Sequence, residues 1–300
     1  MSRLNIPTLS PTIFRNTYIR NNSDEIVNHE NISRFFIHSF KDDKVELNLP
    51  LPPHKKTVND LMFITKGSIK GYLGIDSYQL EKNDFLFTPR NTISSAVSVS
   101  SDLEGFYCHF SDEIIEANPF SEILYTQRLN GVHVSIPESE AKNLECLLNR
   151  VLLLYKSLSK EGKDYHLLSY YISTILAEVF LSFKKTEVIP RKNSDILLKF
   201  KSLAYDQYRL QISIKEYASQ LNITANHLNK VVKSETGKTA TEIIREIVIL
   251  EAKVLLLQSK LTISEISLAL GFDDASYFSR FFKKETGYTP TKYLSMIESS

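Results

Sequence analysis

Residues 262–287 of this chain read TISEISLALGFDDASYFSRFFKKETG and carry its strongest structural signal. Thr262 and Glu265 have the spacing of a helix capping box, in which each side chain bonds the backbone amide of the other residue. Gly271 follows one run of helically spaced apolar residues, and Gly287 follows a second. The stretch therefore predicts two short helices joined by a tight turn.

The same pattern occurs earlier, at residues 213–237, which read SIKEYASQLNITANHLNKVVKSETG. Ser213 lies 49 residues before Thr262 (262 − 213), whereas Gly237 lies 50 residues before Gly287 (287 − 237), so one residue is inserted in the turn after Gly271. A repeat of this length indicates two copies of one supersecondary unit. Each copy has the helix, turn, helix order of a DNA-recognition motif.

The second helix of each copy has an outward side that is rich in hydrogen-bond donors. These residues are Asn226, His227, Asn229, Lys230 and Lys233 in the first copy, and Ser276, Ser279, Arg280 and Lys283 in the second. We expect Lys233 and Lys283 to contact phosphates, which set register. We expect Arg280 to carry most base discrimination, because its guanidinium matches guanine. The alternative is a helical bundle with a solvated polar face.

Between the copies, residues 239–258 predict a helix that is apolar on nearly every side and must be covered on both. Its two stripes are Ile243, Ile247, Leu250, Val254 and Leu257, and Ile244, Val248, Ala252 and Leu255. A helix of this length spans roughly 30 Å. Successive major grooves are roughly 34 Å apart, so one chain could contact two adjacent grooves of double-stranded DNA.

Residues from about 194 to 297 resemble the DNA-binding domain of AraC-family transcription regulators. The stretch ISLALGFDDASYFSRFFKK at residues 266–284, followed by Gly287 and Pro290, is similar to the family signature almost throughout. The first copy departs from that pattern, because Asn222 stands where glycine is usual. The resemblance implies that bases are contacted by Asn226, Asn229 and Lys230 in the first recognition helix, and by Ser276, Ser279 and Arg280 in the second.

Length and charge are consistent with this interpretation. The 300 residues suggest about two domains. Residues 191–300 hold 16 Lys and Arg against 12 Asp and Glu, a charge of +4 (16 − 12) within a chain of net charge +1. A positive bias there favours phosphate binding. Two cysteines, no signal-peptide pattern and no apolar run of membrane-spanning length predict a cytoplasmic protein.

The amino-terminal sequence changes to short aromatic and β-branched runs separated by turn residues, which is typical of a sandwich or jelly-roll barrel. Strands are expected at residues 34–40, 61–65, 85–87 and 105–110. This stretch resembles the cupin-like sensing domain that precedes many AraC-family DNA-binding domains, most closely at residues 80–89. The predicted fold is α+β and multidomain: a cupin-like β-barrel, then helices, then an all-α domain with two helix-turn-helix motifs joined by a long helix.

Metal-dependent catalysis is not expected from this barrel. Enzymatic cupins hold a metal with two closely spaced histidines and a carboxylate, whereas His54 is followed by Lys55 and Lys56. No catalytic residue, metal ligand or cofactor is therefore predicted. An apolar barrel interior with a few polar groups would suit a small-molecule effector. The alternative, a tightly filled core that binds no ligand, is equally consistent with the sequence. No effector-binding residue is assigned.

Residues 138–183 return to helical spacing, with apolar stripes at residues 144–158 and 168–179. The stripes could cover the barrel, or one could form a two-fold seam. The resemblance implies a dimer contact here, so we expect a homodimer. The predicted segments are a sensing domain at 1–136, a helical segment at 137–185, a linker at 186–194 and a DNA-binding domain at 195–300.

These features indicate a sequence-specific DNA-binding transcription regulator, an activator more than a repressor, that responds to a signal at its amino-terminal domain and engages RNA polymerase. Two other classes stay open. One is a cupin-type metal-dependent enzyme with a helical appendage. The other is an RNA-binding or scaffolding module, which would need exposed aromatic residues for base stacking, whereas the outward faces predicted here carry Asn, Ser, Lys and Arg.

Overall fold

The computed structural model describes residues 8–18, 32–41, 49–115, 132–161, 166–186 and 192–298. The chain divides into two compact units, with the boundary between residues 188 and 189. The predicted linker overlaps this boundary, and its residues 187–191 lie outside the described part. Within the described residues, no helix is both long and apolar enough to cross a membrane.

In the described residues of the amino-terminal unit, one helix comes first, then the strands, then two longer helices. Helix α1 is Pro11–Tyr18. The strands are β1 Phe35–Ser39, β2 Leu51–Lys55, β3 Asn59–Lys66, β4 Ile69–Leu73, β5 Asp76–Leu80, β6 Asp84–Thr88, β7 Ile93–Val99, β8 Glu104–Phe110 and β9 Val132–Ser135. Helices α2 Glu138–Glu161 and α3 His166–Thr186 follow. The four strands expected from sequence correspond to β1, β3, β6 and β8.

The described strands form two open antiparallel sheets and not a closed barrel. Of the two arrangements expected from the sequence, a sandwich or a jelly-roll barrel, this is the sandwich, and the α+β class is confirmed. One sheet has the order β1-β8-β3-β6-β9 and the other β2-β7-β4-β5. Proline has no backbone N–H, and Pro52 and Pro53 both lie in β2, which confines that strand to a sheet edge. Along the described chain, strand pairing stays within each sheet.

The side chains of both helical stripes are buried inside this unit, except that the side chain of Leu158 lies outside the described part. They join the core formed by the five-stranded sheet, which contains Phe35 and Phe110. The stripe residues in this core are Leu144, Leu148, Val151, Tyr155, Leu168, Ile172, Ile175 and Val179. The Ser169 hydroxyl on α3 also donates a hydrogen bond to the Ile114 carbonyl at 2.6 Å. The stripes therefore cover the sheet and do not form an external seam.

The part of the carboxyl-terminal unit that the structure describes is helical. Its helices are α4 Lys192–Gln207, α5 Ile214–Gln220, α6 Ala225–Thr236, α7 Ala240–Gln258, α8 Ile263–Ala269, α9 Ala275–Thr286 and α10 Pro290–Glu298. Helices α5 and α6 form the first predicted motif, α8 and α9 the second, and α7 is the predicted connecting helix. Helix α4 was not expected from the sequence.

Side-chain caps fix where these helices begin. The predicted capping boxes at Ser213 and Thr262 are complete, and Thr239 forms a third at the start of α7. The recognition helices α6 and α9 begin at Thr224 and Asp274, whose side chains each accept a backbone N–H three residues later. Each cap satisfies a donor that the helix itself leaves unpaired.

The turns of the two motifs have the same backbone shape but different residues. Asn222 has φ 56° and Gly271 has φ 85°, both in the left-handed region. A Cβ on Gly271 would lie 2.1 Å from the carbonyl oxygen of Arg209. Glycine is therefore required in the second turn for space as well as for φ, whereas asparagine can adopt this φ in the first.

Gly271→Ala should destabilise the carboxyl-terminal unit more than Gly287→Ala, which is a matched control. Both glycines have a φ near 85°, but a Cβ on Gly287 would have nothing within 4 Å. We expect Gly287→Ala to cost about 1–2 kcal/mol, and Gly271→Ala to cost about 1–3 kcal/mol more because of steric overlap. Urea unfolding of the full chain would measure the difference. Equal losses would contradict the role assigned to the Arg209 contact.

Candidate nucleic-acid interface

The recognition helices α6 and α9 are amphipathic and bury one side each. Leu228, Val231 and Val232 are buried on α6, and Phe278 and Phe282 are buried on α9. Both helices end at a left-handed glycine, Gly237 or Gly287. The opposite side of each helix is exposed.

Six predicted contact residues are exposed in two matched sets. We call Asn226, Lys230 and Lys233 the first polar triad, and Ser276, Arg280 and Lys283 the second polar triad; all six are exposed. Each set has spacings of four and three residues, which place its members on one side of a helix. The sets are offset by 50 residues at each position (276 − 226, 280 − 230, 283 − 233).

The other two predicted base contacts, Asn229 and Ser279, are half-buried. The Oδ1 atom of Asn229 accepts a hydrogen bond from the backbone N–H of Ala240 at 3.2 Å. One end of this side chain is therefore occupied by the protein itself, at the point where α7 begins.

Helix α7 supports both recognition helices. Ten of its residues are buried, including Ile247 and Val254, and it contacts α6, α8, α9 and α10. An ion pair joins Arg245 on α7 to Glu285 on α9 with an N–O distance of 4.0 Å. Because one helix packs against both motifs, their relative placement is determined by its side chains.

The structure also exposes an aromatic residue that sequence reasoning missed. Tyr277 lies directly after Ser276 on α9 and is 55% exposed, and Tyr288 follows α9 and is 45% exposed. The expectation that the outward faces carry no aromatic side chain is therefore wrong. Tyr277 lies in the first turn of α9, three residues after the cap residue Asp274. That position in the sequence could have indicated that its side chain is exposed.

A second candidate site is a cavity of about 320 Å³ in the amino-terminal unit. It lies between the two sheets, because its lining comes from both: Phe36 and Met62 on one, and Leu51, Ile69 and Ala96 on the other. The walls are mainly apolar. A tightly filled core, which the sequence left open, is therefore not what this unit contains.

One end of the cavity is polar. Lys56 and Asp60 form a buried ion pair there. The Lys56 ammonium also donates to the Tyr107 hydroxyl at 3.1 Å, and that hydroxyl donates to Oδ1 of Asp60 at 2.8 Å. Burial raises the pKa of Tyr107 well above its usual value, so the phenol stays protonated. The positive and negative charges of this cluster cancel.

Three buried histidines, His38, His54 and His109, line the same cavity. Two of them, His54 and His109, are uncharged at neutral pH. His109 donates from Nε2 to the Ile32 carbonyl at 2.7 Å, and His54 donates from Nδ1 to the Pro52 carbonyl at 2.8 Å. Burial lowers the pKa of His109 to about 4, and burial together with the nearby Lys56 charge lowers the pKa of His54 to about 4. Within the described residues, no group of three or more His, Cys, Asp and Glu side chains is placed to hold a metal ion.

Helix α1 covers part of this cavity. The rings of Phe14 and Tyr18 lie 5.0 Å and 5.9 Å from the ring of His54, centroid to centroid. The Lys56 ammonium lies 4.6 Å from the centroid of Phe14. The helix was not expected from the sequence, and its contacts close one side of the space between the sheets.

Two helix-turn-helix motifs that present matched polar triads from one central helix define a double helix-turn-helix domain. Residues 217–296 match a protein-family model described as a helix-turn-helix domain. The predicted resemblance is thereby confirmed, and the carboxyl-terminal unit is a helix-turn-helix domain of the AraC type. The cupin-like assignment of the amino-terminal unit stays a prediction.

Among curated proteins, the chain is similar to the HTH-type transcriptional activator RhaR of Salmonella arizonae, with 30% identity over 116 residues. That similarity covers 38% of this chain and 41% of the relative. The same protein from Salmonella typhimurium matches equally. The chain thus spans about two fifths of the length of these curated relatives.

Two solved structures resemble this chain, each with a TM-score below 0.5. The C-terminal domain of AraT from Geobacillus stearothermophilus is 27% identical, with a TM-score of 0.34, over 35% of this chain and 88% of that one. ToxT from Vibrio cholerae is 17% identical, with a TM-score of 0.43, over 88% of this chain and 98% of that one.

The amino-terminal unit should lose stability as pH falls from about 6.5 toward 4. A histidine has an unfolded pKa near 6.5, and the folded pKa of His54 and His109 is about 4. Stability from these neutral side chains is thus present above pH 6.5 and lost as pH falls through 4. Thermal unfolding across this range would show a shallower decline in His109→Gln, which keeps a donor for the Ile32 carbonyl.

The matched control for this titration is His227→Gln, because His227 is exposed on α6. It should follow the wild-type profile. Superimposable profiles for wild type and His109→Gln would show that the buried imidazole does not determine this pH dependence.

Proposed function

We propose that this chain is a sequence-specific DNA-binding transcription regulator that acts as an activator. The observation that carries the proposal is the pair of matched, exposed polar triads on two recognition helices of an AraC-type domain. The name of the similar Salmonella proteins, transcriptional activator, supports the sign of regulation. The chain acts by binding DNA and not by catalysis.

Base recognition is assigned to the exposed members of the triads nearest the start of each helix. Asn226 and Lys230 contact base edges in one major groove, and Ser276 and Arg280 contact base edges in the adjacent groove. Lys233 and Lys283 contact phosphates and fix register. Asn229 and Ser279, which the sequence also assigned to base contact, are half-buried, and a different role is proposed for them below.

The partners beyond DNA are RNA polymerase and a second copy of the chain in the cytoplasm. The predicted seam residues are used inside the subunit, so a homodimer must use other apolar side chains. Leu153 on α2 is 62% exposed, and Tyr170 and Leu181 on α3 are 69% and 54% exposed. A two-fold contact through these residues would keep the helical segment as the dimer interface.

Arg280→Ala and Lys233→Ala should have different effects on binding to an operator selected from random duplexes. Arg280→Ala should cost about 1–3 kcal/mol and relax preference at one base pair, because a bidentate contact is lost. Lys233→Ala should weaken all sequences alike and reduce the salt slope by about one. Gel-shift titration at several salt concentrations measures both.

Lys199→Ala is the control, because Lys199 is exposed on α4 and pairs with Asp195. It should bind like wild type. If Arg280→Ala and Lys233→Ala also bound like wild type, the assignment of α6 and α9 as the recognition helices would be wrong.

The controlling signal is an uncharged, mainly apolar small molecule bound in the cavity between the sheets. Lys56 and Asp60 neutralise each other. Arg15 on α1 also lines the cavity, and its side chain already has an interaction partner within the protein. His54 and His109 are neutral at pH 7 because their pKa is about 4. A charged ligand at this polar end would bring an uncompensated charge into an apolar space. A hydroxyl or carbonyl group could instead hydrogen-bond to the Tyr107 cluster. The ligand regulates by binding one state of the chain more tightly than another.

A pair of dyes with the same ring system tests this ligand class. Uncharged N-phenyl-1-naphthylamine should bind and fluoresce, whereas its charged relative 8-anilino-1-naphthalenesulfonate should bind at least about tenfold more weakly, the equivalent of about 1.4 kcal/mol. Ala96→Trp should abolish dye binding, because Ala96 lines the cavity. Val97→Trp is the matched control, since the neighbouring Val97 is 48% exposed.

Preferential binding of the sulfonate would overturn the ligand class, and equal loss in the two tryptophan variants would overturn the site. Neither result bears on DNA binding, which the gel shifts measure separately.

A further inference from the structure

The hydrogen bond from Ala240 to Asn229 joins the first recognition helix to the central helix. Asn229 lies in the middle of α6, and Ala240 is the first residue of α7. The first N–H groups of a helix have no partner within it. Ala240 is fully buried, so water cannot readily satisfy its N–H group. The Oδ1 atom of Asn229, at 3.2 Å, supplies the acceptor.

The second copy has the same junction with different chemistry. Residue 279 is equivalent to 229 and residue 290 to 240, since both pairs are offset by 50 (279 − 229, 290 − 240). Pro290 has no N–H group. Ser279, also half-buried, is therefore the counterpart of Asn229 in a copy whose next helix begins without an N–H group. The residue pair is Asn with Ala in one copy, and Ser with Pro in the other.

The caps around the two junctions are alike. Thr239 precedes Ala240 and accepts from the Glu242 amide, and Thr289 precedes Pro290 and accepts from the Lys292 amide at 3.3 Å. Thr239 has φ −76° and ψ 159°, the extended conformation that a residue before proline adopts. The backbone of the first junction could therefore accept a proline at position 240.

We infer that Asn229 is a positioning residue: it fixes the placement of α6 against α7 and does not contact a base. The DNA-binding part of this inference rests on the proposed function. Ser279 occupies the corresponding place in the second copy, where proline removes the need for a hydrogen bond. Base recognition in the first copy then belongs to Asn226 and Lys230, whose side chains are exposed.

The test is to build the second copy's junction into the first. Asn229→Ser alone leaves the Ala240 N–H group without its acceptor. Ala240→Pro alone places a ring carbon against Oδ1 of Asn229, which lies 3.2 Å from the Ala240 nitrogen. Each single variant should lower the unfolding temperature of the carboxyl-terminal unit by about 4–8 °C. The double variant Asn229→Ser/Ala240→Pro should recover most of that loss, because it recreates the Ser279 and Pro290 pair.

DNA binding of the full chain distinguishes positioning from base contact. The double variant should keep the wild-type base preference at every position and an affinity within about threefold. Asn229→Ser alone should also keep the base preference. It should, however, discriminate less against an operator that has one base pair inserted between the two recognised segments, because α6 is then held less firmly against α7. The double variant should restore that discrimination, which a merely structural role would not affect.

Asn226→Ser is the matched control, since it makes the same change at an exposed position one turn earlier. It should leave the unfolding temperature unchanged and relax preference at one base pair. The inference is overturned if the double variant loses preference at a base pair, or if the two single-variant losses in unfolding temperature simply add. The thermal measurements need no DNA, so they test the role of the Asn229–Ala240 hydrogen bond independently of DNA binding. If the wild-type chain selected no DNA sequence, the proposed function would be wrong, but this test would still stand.

Discussion

The carboxyl-terminal unit depends on a central helix that is apolar on nearly all sides. A helix of this composition is not stable in water until other elements cover it, and α7 is covered by the recognition helices α6 and α9 together with α8 and α10. Its ten buried residues fix both motifs on one support. The distance between the two polar triads is therefore set by core packing, and the same burial that stabilises the fold sets the spacing available for binding.

The two motifs show how a duplicated unit keeps its geometry while its residues diverge. The left-handed turn is made by Asn222 in one copy and Gly271 in the other. The glycine is required only where the Arg209 carbonyl lies close by. At the start of the following helix, one copy satisfies a buried N–H with Asn229, and the other uses proline, which has none. In each copy, the residue in the recognition helix and the first residue of the next helix match: Asn229 with the N–H group of Ala240, and Ser279 with Pro290, which has no N–H group.

The amino-terminal unit follows a different constraint. Its five-stranded sheet is covered by the apolar stripes of α2 and α3, whereas the space between the two sheets is only partly filled. A buried Lys56–Asp60 pair is stable there because Tyr107 bonds both partners, which compensates for the loss of solvation. The resulting cavity has an apolar body and a polar end at which the charges of Lys56 and Asp60 balance.

The repeat, its caps, the connecting helix and the polar side of each recognition helix can all be predicted from the order of the amino acids. These features depend on local spacing, which is written along the chain. The sequence also predicted four strands, because their side chains alternate or form aromatic runs. Three features became visible only in the folded chain. The strands form two open sheets, the stripes of α2 and α3 cover one of them, and Asn229 accepts a hydrogen bond from Ala240. Those outcomes depend on which distant elements meet, and no local pattern encodes the partner of a surface.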